Sequence, residues 1–429
     1  MTRADSTTRL LGEVTRETGE RLREVLSLAM REFKFYAKRF RASGVSPGDI
    51  RHKDPVELLR TLPLLEAEEL DGLAAESLMR GEHIIDIETS SGTTGVRKRR
   101  FISHEDDASE TEFLAELFEV CGVDSSSRVA CLDTDPLTLM ASFTKALHLI
   151  GVEEAYMYCV GSDFREMLMD LPRLDPTVII TVPSIIEKGF EALRSRYAGR
   201  TGASLEKIVF VGEPLPTHMR DLLESTFGVE IFGYYGASET SALGIECGAH
   251  DGIHLFTDHN LAEVVYDRLD SNEGELIVTT LRQRAYPLLR YALRDRVAVK
   301  SGACSCGLLH PRVDVLGRAD DGISILGAKI TYNAILSAVY KGADRMGAMQ
   351  IVLAREAREV LTVVLPQSMR GREADARKAL MHAQPDLDFL ISSKHLDLSF
   401  SYVEEGSFSD ERKTRKVIDL RGRLDPAKV

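Results

Sequence analysis

Residues 84–98 read Ile84-Ile85-Asp86-Ile87-Glu88-Thr89-Ser90-Ser91-Gly92-Thr93-Thr94-Gly95-Val96-Arg97-Lys98: an apolar strand, a hydroxyl- and glycine-rich loop, and a basic exit. In the loop, Gly92 and Gly95 let the backbone come close to an anion. Ser90, Ser91, Thr93, Thr94 and successive N–H groups can donate to phosphate oxygens, and Lys98 supplies charge. The spacing is not that of a Walker loop, which needs four residues between its glycines and a Gly-Lys-Ser/Thr ending. A Ser/Thr/Gly cluster by itself marks a surface turn, so the phosphate reading depends on what surrounds it.

Upstream, Leu22, Val25, Leu26, Leu28 and Ala29 recur at helical spacing, and the first eighty residues read as helix-rich. Downstream, short β-rich runs (Val129 to Leu132, Val178 to Val182, Ile208 to Val211) alternate with helical stretches such as Ser184 to Tyr197. That alternation predicts an α/β fold with a parallel or mixed sheet flanked by helices. Strands of antiparallel character follow at Leu261 to Tyr266 and Glu275 to Thr280. The charged, glycine-flanked segment Gly317-Arg318-Ala319-Asp320-Asp321-Gly322 has the composition of a hinge. It predicts a large domain over 1–319 and a small α+β domain over 320–429, with strands at Ile351 to Ala354, Leu361 to Leu365 and Leu398 to Val403.

At 429 residues and 44% apolar composition the chain can bury a large core and a smaller one. A net charge of −13 argues against nucleic-acid binding, which leans on clustered Lys and Arg. No apolar run approaches the ~20 residues of a membrane span, and the polar start from Met1 to Asp5 lacks a signal-peptide core, so the expectation is a cytoplasmic protein without a membrane partner. Six cysteines in such a chain suit free thiols or metal ligands. Cys304-Ser305-Cys306, with Cys247 and His254 upstream, offers the four-ligand shell of a structural zinc site, for which His250 and His310 are competing ligands. Cys121, Cys131 and Cys159 sit in apolar contexts expected in the core.

Two further stretches bear on chemistry. In Gly233-Tyr234-Tyr235-Gly236-Ala237-Ser238-Glu239-Thr240, Tyr235 can present a flat face to a base, Gly236 permits close backbone approach, and Glu239 is a hard oxygen donor suited to Mg²⁺. In Pro287-Leu288-Leu289-Arg290-Tyr291-Ala292-Leu293-Arg294-Asp295, the carboxylate of Asp295 can accept from vicinal hydroxyls of a ribose. Gly236-Ala237-Ser238-Glu239-Thr240 lacks the second glycine of a nucleophile elbow, so Ser238 is not read as a nucleophile.

In this order the three stretches resemble the adenylate-forming superfamily, and within it the phenylacetate–coenzyme A ligase family. Phe35 to Phe40, Glu246-Cys247, Gly252 to Leu255, Gly274-Glu275-Leu276, Thr279-Thr280-Leu281 and Lys413-Thr414-Arg415-Lys416-Val417-Ile418-Asp419 extend the resemblance over nearly the whole chain. The resemblance implies ATP, Mg²⁺ and coenzyme A, with a small, aromatic carboxylic acid as substrate. It leaves open a homodimer and, as alternatives to coenzyme A, a carrier-protein thiol or an amine. It further implies that Ser90 to Lys98 hold the β- and γ-phosphates, that Gly212, Glu213, Pro214 and Tyr235 frame adenine, and that Glu239 binds Mg²⁺. Ser238 then touches the α-phosphate, Asp295 takes the ribose hydroxyls, Arg318 reaches ribose or phosphate, Asp320 is the pivot and Lys413 the mobile catalytic lysine. Some members of the family carry cysteines at places matching the zinc set. The chain departs from the family at Gly95-Val96-Arg97-Lys98, at Tyr291-Ala292-Leu293, at Gly327 to Tyr332, and at Asp133 to Leu139 near the acyl pocket, where Asp and Thr groups suit a polar or amino-substituted aryl acid.

Overall fold

The computed structural model describes residues 7–71, 73–74, 84–89, 98–133, 139–159, 171, 173–197, 204–268, 270–318, 322–326, 328–345, 347–355, 357–404, 407 and 417–421. Strand β1 (Thr8–Leu10) leads into helices α1 (Arg16–Glu32), α2 (Lys34–Ala42), α3 (Pro47–His52) and α4 (Pro55–Thr61). Thr15 caps α1 by accepting from the Thr18 N–H, and Leu22, Val25, Leu26 and Ala29, three and four residues apart, put one face into the core. Both α3 and α4 begin with Pro after a capping side chain, Ser46 and Asp54, which ends the preceding extended chain and satisfies the first free N–H groups. Tyr36 on α2 is fully buried; its hydroxyl donates to Pro287 O at 2.7 Å and accepts from Leu289 N at 3.1 Å. This pair of bonds fixes the backbone that leads toward Asp295.

The two-stranded ribbon β2 (Ile84–Thr89) and β3 (Arg99–Ser103) is antiparallel, with Thr89 opposite Arg99. The loop residues Ser90, Ser91, Gly92, Thr93, Thr94 and Gly95 lie outside the described residues. Helix α5 (His104–Val120) follows at once, started by a reciprocal Ser103–Asp106 box. The buried Asp106 carboxylate also accepts from Arg284 N at 2.6 Å and Ala285 N at 3.1 Å, which ties the helix start to a distant loop.

The central sheet combines two halves. Strands β4 (Arg128–Asp133), β5 (Glu154–Cys159), β6 (Val178–Thr181), β7 (Lys207–Phe210) and β8 (Glu230–Ala237) are parallel in the order β5-β4-β6-β7-β8. Helix α6 (Leu139–Ile150) links β4 to β5, α7 (Pro183–Tyr197) links β6 to β7, and α8 (Thr217–Phe227) links β7 to β8, the crossovers that parallel neighbours need. Beyond β8 the sheet is antiparallel through β9 (Ser241–Glu246), β10 (Ile253–Leu255), β11 (Asn260–Tyr266), β12 (Glu273–Thr280), β13 (Tyr291–Val299) and β14 (Arg312–Arg318), in the order β8-β9-β10-β14-β13-β12-β11-β1. Strand β8 therefore joins the halves, and it runs through Tyr234-Tyr235-Gly236, which makes that motif strand and leaves only Ser238 to Thr240 as the turn.

The chain falls into two compact units, residues 1–213 with 229–319, and residues 214–228 with 320–429. The second contains the ribbon β15 (Gly322–Ile325) and β16 (Ala328–Thr331), helices α9 (Tyr332–Val339), α10 (Glu373–Ala383) and α11 (Pro385–Ser392), and a four-stranded sheet. Its strands β17 (Gln350–Arg355), β18 (Glu359–Pro366), β19 (Leu396–Val403) and β20 (Val417–Asp419) lie in the order β19-β18-β17-β20 around a core that includes Ile335, Ile351, Leu361, Val363 and Leu380. The segment 214–228 joins this unit because the His218 ring of α8 stacks on Tyr340 just past α9, with centroids 5.4 Å apart. Asp320 and Lys413 lie outside the described residues, as do Thr134 to Thr138 of the stretch expected near the acyl pocket.

Candidate active site

The β8–β9 turn is held open at a fixed shape. A Cβ on Gly236 would stand 2.6 Å from Ser241 O, so only glycine lets β8 come this close to β9. Thr240 N donates to Ala237 O, Ser241 takes a positive φ of 62°, and Gln283 Nε2 donates to Glu239 O at 3.4 Å. Glu239 is buried although it sits in a turn, while Ser238 beside it is exposed.

The structure brings Lys98 and Glu239 together across 141 residues of sequence. Lys98 Nζ donates to Glu239 Oε1 and, at 3.0 Å, to the Tyr291 hydroxyl, which gives its own proton to the same Oε1 at 2.7 Å. Burial, with the Glu239 charge added, pushes the Tyr291 phenol far above its usual range, so it stays a donor. Tyr291 is absent from the residues expected at the site. It stands four positions before Asp295 at the start of β13, and nothing in the local spacing tells that its hydroxyl meets the β8–β9 turn.

A second group adjoins it on the same strands. The Tyr235 hydroxyl donates to Asp295 Oδ2 at 2.7 Å, and Arg318 donates to Asp295 Oδ1 at 3.2 Å. Register explains the latter, because Asp295 of β13 and Arg318 of β14 are direct partners. Burial raises the Asp295 carboxyl above the ordinary carboxylate value, against the opposing pull of Arg318 and of the Tyr235 bond. With one partner on each oxygen among the described residues, Asp295 retains acceptor capacity for two hydroxyls. Tyr235 is 9% exposed, so its ring is a wall of this place rather than an open face. Gly212 adopts φ 74°, and the Glu213 carboxylate accepts from Ser184 N at 3.0 Å and Ser184 Oγ at 2.9 Å at the start of α7; Pro214 opens the second unit.

The thiol set converges as well. Cys247 follows β9, His254 lies on β10, and Cys304 and Cys306 come from the loop between β13 and β14, whose neighbour in the sheet is β10. Their four donor atoms all lie within 4.8 Å of one another. Cys247 Sγ is 3.7 Å from Cys304 Sγ, and Cys306 Sγ is 3.4 Å from His254 Nε2. Tetrahedral Zn²⁺ bonds set ligand atoms roughly 3.3–3.8 Å apart. His254 Nδ1 stands 3.3 Å from His310 O, the outer-shell bond that orients a metal-ligating imidazole. The competing histidines are placed otherwise: the His310 ring stacks on Phe256 and the His250 ring tilts against Phe232.

Comparison with known proteins adds the wider setting. A family model described as AMP-binding enzyme matches residues 28–265. The phenylacetate–coenzyme A ligase of Thermus thermophilus is 28% identical over 365 residues, covering 79% of this chain and 77% of that protein. The indoleacetate–lysine synthetase of Pseudomonas savastanoi is 27% identical over 315 residues, covering 70% and 75%. Among solved structures, a 2-hydroxyisobutyryl-CoA ligase in the postadenylation state shares the fold with a TM-score of 0.76 at 18% identity, covering 94% of this chain and 88% of that one.

Proposed function

This chain belongs to the AMP-binding enzymes, the adenylate-forming superfamily, and within it to the phenylacetate–coenzyme A ligase family; from that premise we propose that it activates an aryl carboxylic acid with ATP and passes the acyl group to the thiol of coenzyme A. The acid carboxylate attacks the α-phosphorus of ATP and releases pyrophosphate, which leaves an acyl-adenylate. The thiol then attacks the acyl carbon, losing its proton, and AMP departs. The observation that supports this reading most is the convergence of Lys98, Glu239 and Tyr291 beside Tyr235, Asp295 and Arg318 in a chain of this family.

In this reading the loop Ser90 to Lys98 takes the β- and γ-phosphates, Asp295 takes the ribose hydroxyls, and Arg318 both holds Asp295 and meets the nucleotide. The hard carboxylate oxygens of Glu239 suit Mg²⁺, which when bound would neutralise the phosphate charge that spreads during displacement. Lys413 serves the first displacement, and the small domain turns about Asp320 between the two steps. The aryl class draws support from relatives named for phenylacetate and indoleacetate, both aryl-substituted acetic acids. Cys247, His254, Cys304 and Cys306 hold one structural zinc, their spacing and the His310 bond fitting that ion.

The match to an indoleacetate–lysine synthetase favours one second reading, in which an amine replaces the thiol as acceptor. Pyrophosphate release across a panel of aryl acids, with coenzyme A, with lysine or with neither, separates the two. Thioester formation with coenzyme A alone is expected; amide formation with lysine in its place would transfer the assignment to the second reading.

A further inference from the structure

The residue assigned to phosphate and the residue assigned to metal are bonded to each other. Lys98 and Glu239 have side chains only 11% and 6% exposed, and Tyr291 bridges them from a third element with a hydrogen bond to each. Among the described residues, Lys98 pairs with Glu239 and Arg318 with Asp295. Mg²⁺ gives up its water reluctantly and is bound through carboxylates together with substrate phosphates. A single carboxylate already neutralised by an ammonium offers it little, and that ammonium repels it.

We propose that Lys98 is a built-in stand-in for the divalent cation: in the nucleotide-free protein its ammonium occupies the cation position at Glu239, so that the metal enters only with ATP. The triphosphate supplies the charge that draws Lys98 from Glu239, and the freed carboxylate then takes the metal that the same triphosphate carries. The exchange avoids leaving either buried charge unpaired, a state that costs far more than the pair itself gains. Tyr291 is the positioning residue, since its bond to Glu239 keeps the carboxylate in place whichever cation is present. The inference rests on Glu239 being the metal ligand of the ATP site.

The test reads Mn²⁺ binding by the electron paramagnetic resonance of free Mn²⁺, on zinc-loaded full-length protein. Wild type without nucleotide is expected to show no Glu239-dependent binding. Lys98→Met should bind Mn²⁺ at least about tenfold more tightly, given the repulsion lost between an ammonium and a divalent ion at close range. Adding Glu239→Gln to Lys98→Met should abolish the gain. With a non-hydrolysable ATP analogue, wild type should acquire a site that Glu239→Gln lacks. Lys98→Gln replaces Lys98→Met if the latter melts early. Equal Mn²⁺ affinity in nucleotide-free wild type and the Lys98 variants would overturn the stand-in role alone. An undiminished site in Glu239→Gln with the ATP analogue would instead remove Glu239 as the metal ligand, and the stand-in with it.

Discussion

At the residue scale, burial decides what a charged side chain can do. Arg290 takes a positive φ of 53° and is 3% exposed; its guanidinium donates to Glu263 at 3.1 Å and to the carbonyls of Arg60 and Leu62. It secures the backbone just before Tyr291. Arg290→Ala would leave the Glu263 carboxylate buried without its partner, which predicts a loss of about 3–5 kcal/mol in denaturant unfolding. The double variant Arg290→Met with Glu263→Leu should lose less than Arg290→Ala, because no orphaned charge remains. Nearer the chemistry, Asp295→Ala removes both the acceptor proposed for ribose and the partner of Tyr235 and Arg318. It should raise the KM for ATP by at least about tenfold, the worth of one charged hydrogen bond, and leave the KM for the acid nearly unchanged. An equal rise in both would place Asp295 outside the nucleotide site.

At the scale of elements, the strands that were legible in the sequence are those with local signals. Val178 to Thr181 and Lys207 to Phe210 are short apolar runs bounded by turns, and helix α7 separates them. The meeting of Cys247, His254, Cys304 and Cys306 was legible too, because Cys304-Ser305-Cys306 is a local pattern and His254 lies close behind Cys247. Tyr291 was not. Its meeting with Glu239 depends on the order β8-β9-β10-β14-β13, and strand order across a sheet leaves no periodic trace in the chain. The end of β8 leaves no local signal for a related reason: Gly233 and Gly236 look like loop residues, yet the sheet needs a glycine at 236 where backbone meets backbone. The zinc reading carries its own prediction. Protein purified without added zinc should contain about one equivalent, and Cys304→Ala should lose it together with thermal stability. Less than a tenth of an equivalent in well-folded wild type would remove the zinc.

At the scale of the whole molecule, only the first of the two proposed displacements is assigned the Lys413 cation. No described helix is long and apolar enough to cross a membrane. Lys413, proposed to meet the α-phosphate only while the acid attacks, should be needed for adenylation and dispensable afterwards. Lys413→Ala is predicted to slow adenylate formation by roughly 10²–10³-fold while thioester formation from supplied acyl-adenylate survives. Selective loss of adenylation in Lys416→Ala, with Lys413→Ala unaffected, would transfer the role three residues along the chain. Whether the chain forms an acyl-adenylate before any acceptor arrives is read from exchange of labelled pyrophosphate into ATP without coenzyme A. Exchange is expected to require an aryl acid and to be lost in Glu239→Ala. ATP cleaved to ADP and phosphate, with no acid-dependent exchange for any acid in the panel, would contradict acyl-adenylate formation.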